Sequence, residues 1–74
     1  MISNGETASK ISELMLEIFS RVNESVAIVK ETCADEEAAA YRNAAGRVAG
    51  PIVMEVLGPL YDKHPSLKPQ NWDD

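Results

Sequence analysis

The sequence holds one cysteine, one histidine, one tryptophan and one phenylalanine in 74 residues, and each scarcity closes off a class of architecture or chemistry. With Cys33 alone, no intramolecular disulfide can staple the chain and no cysteine-rich zinc site can form. Basic residues are also sparse: 7 Lys and Arg stand against 12 Asp and Glu, for a net charge of −5, and none of them cluster. Binding to a phosphate backbone needs several converging cations that release counterions, so this balance argues against nucleic acid and equally against an anionic membrane surface. No apolar run approaches the roughly 20 residues of a membrane span. Residues 1–6 lack the basic and apolar regions of a secretion signal, so a cytoplasmic location is expected. Neither a Gly-Lys-Ser/Thr phosphate loop nor a glycine fingerprint after a strand occurs, and no cofactor is expected.

Glycine and proline are scarce as well. Between Glu6 and Lys63 they are confined to Gly46, Gly50, Pro51, Gly58 and Pro59, and good helix formers dominate the rest. Ile11, Leu14, Met15, Ile18, Phe19, Val22, Val26 and Val29 recur at steps of three and four, which gathers them on one face of a helix. Glu6, Lys10, Glu13, Glu17, Arg21, Glu24 and Glu31 take the opposite face, with Glu6–Lys10 and Glu17–Arg21 at the favourable i, i+4 spacing. The pattern predicts a first helix over 7–31, capped near Thr7 or Ser9, or earlier at Ser3 or Asn4. Thr32 followed by Asp35 reads as a capping pair, and the acids after it suit a first helical turn, so a corner is expected at 31–37; with no Gly or Pro to force a break, one unbroken helix through Tyr41 is the alternative.

A second helix is predicted over 35–62, with Ala38, Tyr41, Ala45, Val48, Ile52 and Val56 on one stripe and Ala49, Val53 and Leu60 widening it. Proline lacks a backbone donor and clashes with the carbonyl four residues back, so Gly50-Pro51 should kink this helix and Gly58-Pro59 should fray or end it. Between Val48 and Leu60 the one charged residue is Glu55, and a helix apolar nearly all round is a buried one. Residues 64–74 carry proline and polar groups at a density that favours extended backbone, with Leu67 and Trp72 as anchors able to lay this tail across the helices.

These elements make one small all-α domain over 1–74, with a flexible lead-in at 1–6 and an extended tail at 64–74. Its expected architecture is an antiparallel helical hairpin that dimerises into a four-helix bundle; the alternative is a monomeric three-helix bundle with a true turn at Gly50-Pro51. Dimerisation follows from size. Ordering each residue costs about 1.5 kcal/mol, which burial at about 25 cal/mol per Å² barely offsets in a chain this short, so disulfides, metals, very good helix packing or oligomerisation must contribute. The expected interface comprises Ile18, Val22, Val48, Ile52, Val53, Val56, Leu57 and Leu60.

Reactive constellations are thin. Cys33 and His64 would have to form any Cys-His nucleophilic pair, yet a hairpin puts them at opposite ends, and a lone cysteine is ordinarily a small buried hydrophobe. His64 and Asp62, joined by Asp73 and Asp74 if the tail curled back, could ligate a metal. One histidine falls short of the three or four ligands a zinc site wants, and at a helix end it suits the dipole, so no metal is expected. Glu13 and Glu17 lie in the middle of the charged stripe, where a solvated face explains them; Glu55 is expected to tilt to solvent. The function expected from this pattern is a non-enzymatic regulatory, adaptor or accessory module that binds a second copy of itself or another protein through its helical surface. The competing class is an enzyme or ligand-binding protein with a pocket between subunits, drawing on Tyr41, Arg42, Arg47, Tyr61 and His64.

Overall fold

Asn4 sets the start of the first helix: its Oδ1 accepts a hydrogen bond from the Thr7 amide at 3.0 Å, satisfying one of the orphan donors of a first turn. In the computed structural model, which describes residues 1–70 and 72, helix α1 then runs from Gly5 to Thr32. Gly5 and Glu6 thus belong to the helix, and Ile2 ahead of it packs against the core. At the other end the Cys33 amide still bonds the Val29 carbonyl at 2.9 Å, but its φ of −123° and ψ of 166° leave the helix. Ala34 is extended too, and α2 begins at Asp35. The expected capping pair does not form. The Thr32 hydroxyl donates backwards to the Ile28 carbonyl at 2.8 Å, and the N-cap of α2 is Ala34, with no side-chain cap. Asp35, Glu36 and Glu37 in the first turn provide negative charge beside the exposed amides instead.

Helix α2 spans Asp35–Pro51 and does not turn at Gly50-Pro51. Pro51 and Ile52 both keep α-helical dihedrals, which removes the turn that a three-helix bundle requires. The irregularity lies just beyond. Ile52–Leu57 is a π-helical segment, closed by a bond from the Gly58 amide to the Val53 carbonyl, and α3 continues over Gly58–Lys63 with Pro59 in its first turn. Each wide turn holds one residue more than an α-turn, so everything beyond it is rotated by about 100° relative to an uninterrupted helix. Gly58 fits this geometry because a Cβ there would sit 3.2 Å from the Val53 carbonyl oxygen.

That rotation places the core. A strict α-helical count from Ala49 would aim Val56 at α1 and swing Tyr61 away; with the π turn, Leu57, Leu60 and Tyr61 all face inward and are fully buried with Ala8 of α1. Ile2, Ile11, Met15, Leu16, Ile52, Leu67 and Trp72 surround them. The tail is drawn in by a 3₁₀ turn at Pro65–Leu67, and Trp72 packs edge-on to Tyr61 with ring centroids 4.9 Å apart and planes at 83°. Two long-range polar contacts fix the register. Ser12 Oγ and the Tyr61 hydroxyl meet at 2.5 Å inside the core, and a His64 ring nitrogen, Nε2, lies 2.6 Å from the Ile2 carbonyl. A carbonyl only accepts, so Nε2 carries the proton and clamps the start of the chain to the end of α3.

The outcome is an all-helical hairpin of 45 × 21 × 15 Å, elongated along its helices. Its radius of gyration is 14.4 Å, whereas a compact domain of this length has about 11 Å. No helix among the described residues is long and apolar enough to cross a membrane.

Candidate protein-interaction face

A hairpin only two helices wide has one buried seam and two open sides, and apolar residues flank the seam on one of them. On α1, Leu14 and Ile18 are 53% and 44% exposed; on α2, Tyr41 and Val48 are 39% and 59% exposed. Leu14, Ile18 and Ser25 lie in one row at spacings of four and seven, as do Tyr41, Ala44 and Val48 at three and four. The two rows face the same way because Ser25 Oγ and the Tyr41 hydroxyl meet across the seam at 2.8 Å. Two turns beyond that pair in antiparallel register, Ile18 comes level with Val48. Between the rows runs a cavity of about 170 Å³ lined by Val22, Ser25, Tyr41, Ala44, Ala45 and Val48.

The polar groups of this face are already satisfied. Ser25 Oγ donates to the Val22 carbonyl at 2.6 Å, which uses its single proton, so the Tyr41 hydroxyl is the donor to Ser25. Neither hydroxyl has a proton left to give to a partner or to water. Arg21 falls within the α1 row, three residues after Ile18 and four before Ser25, and is held by Glu24 at 3.2 Å instead of by Glu17 as the sequence spacing suggested. Both side chains of that pair are well exposed, so it offsets the Arg21 charge without adding much stability.

The eight residues expected at an interface are divided by the fold. Ile18 and Val48 are exposed; Val22, Ile52, Val53 and Val56 are half-buried; Leu57 and Leu60 have no exposed surface at all. The apolar excess expected between Val48 and Leu60 is therefore largely absorbed within the chain after Ile52, and the open part shifts towards the middle of the hairpin. Leu14 and Tyr41 belong to the open face although periodicity alone put both on the buried stripe. Met54, 76% exposed in the π segment, is a separate apolar point.

The groups weighed for chemistry are scattered. Cys33 is exposed at the corner and His64 is clamped to Ile2 at the other end of the molecule. A 28-residue helix separates those ends by about 42 Å, so no Cys-His pair forms within one chain. Among the described residues no group of three His, Cys, Asp or Glu side chains could hold a metal; the suggested ligands Asp73 and Asp74 lie outside the described residues. Glu13, Glu17 and Glu55 are exposed, as a solvated face requires. Of the set imagined for a pocket between subunits, Tyr61 is in the core, Tyr41 is on the apolar face, and Arg42 lines the opposite side of the seam with Val26, Lys30, Asp35, Ala38 and Ala39. No known family model, curated protein or solved structure matches the chain.

Proposed function

We propose that this protein is a non-enzymatic interaction module whose hairpin supplies two helices of a four-helix bundle, the other two docking on the face formed by Leu14, Ile18, Tyr41 and Val48. The observation that carries this reading is that four of the seven exposed large apolar side chains among the described residues, Leu14, Ile18, Tyr41 and Val48, share one face whose hydroxyls are internally paired, while Met1, Ile28 and Met54 lie apart from it. Burying an unpaired hydroxyl costs about 1–3 kcal/mol, and here covering the face with apolar side chains strands no donor. Exposed leucine or isoleucine taken singly is ordinary; contiguity across two helices is what marks a binding surface.

Site-specific photo-crosslinking in cells tests this reading. A benzophenone side chain at position 18 or 48 should give discrete protein adducts, whereas the same group at Asn43, an exposed position away from the apolar rows, should not. Equal labelling at all three positions, or none at 18 and 48, would remove the face as a docking surface.

A further inference from the structure

We infer that the occupant of this face is a second copy of the same chain, related by a two-fold axis. The inference rests on the docking reading above and names the partner. Its first support is area. The chain exposes 5398 Å², while a compact monomer of 8.1 kDa exposes about 4500 Å² by the usual scaling of surface with mass. The surplus of about 900 Å² is close to the roughly 800 Å² that each partner gives up in a standard stable interface. One layer of the same thickness, laid on this face, would bring the assembly to the proportions of an ordinary four-helix bundle.

The second support is self-complementarity. A two-fold interface joins a surface to itself, so any protrusion must find its recess on the same patch. Here the exposed Leu14 and Ile18 lie towards one end of the face, and the cavity bordered by Val22, Ser25, Tyr41, Ala44, Ala45 and Val48 runs from the level of Ile18 towards the other. A two-fold axis crossing the hairpin near Ile18 and Val48 would bring Leu14 of each copy over the opposing cavity. Charge opposes association only at long range: with a net −5 on each copy two chains repel, but at the patch itself the Arg21 charge is paired with Glu24 within the same chain.

Light scattering on the purified protein decides the matter. The wild type should have twice the 8.1 kDa chain mass at micromolar concentration, and Ile18→Glu with Val48→Glu should raise the dissociation constant at least about a hundredfold while leaving the helical circular dichroism in place. Purified protein carrying the benzophenone at position 18 should crosslink to itself, which tests the face without either glutamate. A wild-type monomer at 100 µM whose position 18 still captures another protein in cells would overturn the second copy and leave the docking face standing. A dimer indifferent to both glutamates and without self-adducts would place the contact elsewhere and overturn the inference.

Discussion

Removing the Ser12 hydroxyl should destabilise the protein by more than removing the Tyr61 hydroxyl, and removing both should cost less than the sum. Tyr61 is 1% exposed and Ser12 5% exposed, and their oxygens are 2.5 Å apart, so in Ser12→Ala the phenolic hydroxyl is left in the core without a partner. Stranding a buried donor costs about 1–3 kcal/mol. Alanine returns about 0.5 kcal/mol through its better helix propensity, for a net loss of about 0.5–2.5 kcal/mol. In a domain this size each kcal/mol lowers the melting temperature by about 4–8 °C. Tyr61→Phe is milder, about 0.5–1 kcal/mol, because the Ser12 hydroxyl can rotate to the Ala8 carbonyl one turn back. Urea unfolding of the four proteins at one fixed concentration closes the cycle, fixed because association shifts apparent stability. If the two single losses add to within about 0.5 kcal/mol in the double variant, the hydroxyls are not coupled and the contact does not hold α3 on α1.

The remaining perturbations separate parts of the fold. Asn4→Ala removes the cap of α1 and should lower stability by about 0.5–2 kcal/mol in denaturant melts, with no change if another residue already caps the helix. Gly46→Ala should stabilise by about 1 kcal/mol, since a Cβ there meets nothing within 4 Å, whereas Gly58→Ala should forfeit that gain because its Cβ would press on the Val53 carbonyl; equal gains would contradict the tight π turn. Leu57→Ala should cost about 2–5 kcal/mol of unfolding free energy, and a loss below 1 kcal/mol would mean that Leu57 is not in the core.

How much of this was legible in the sequence differs by element. The 3.6-residue stripe from Ile11 to Val29 sufficed to place α1, because a long amphipathic period admits one local structure, and Asn4 stood among the candidate caps. The corner at Cys33 and Ala34 fell inside the expected 31–37, but its mechanism did not. A threonine hydroxyl can serve the next helix or the previous turn, and the choice depends on backbone geometry that spacing does not encode.

The second half was harder for a definite physical reason. Periodicity assumes 100° per residue, and one π segment violates that assumption for every residue after Ile52. Leu57 and Leu60, expected at an interface because the stretch from Val48 to Leu60 is almost free of charge, lie in the core, while Tyr41, on the regular part of α2, sits at the edge of the seam because Ala45 and Ala49 occupy its centre. The residues that finish the face, Ser25 and its bond to Tyr41, carried no sequence signal. A serine in an apolar stripe gains meaning only when its partner on the other helix is known.

Isotope-filtered nuclear Overhauser spectroscopy on a mixture of labelled and unlabelled chains would show directly whether a second copy covers the face formed by Leu14, Ile18, Tyr41 and Val48. Intermolecular contacts are expected from the Leu14 and Ile18 methyl groups to the Tyr41 ring, with none from Ala39 or Gly46 on the other side of the seam. Intermolecular contacts confined to that other side, or none at all at millimolar concentration, would contradict that placement of the second copy.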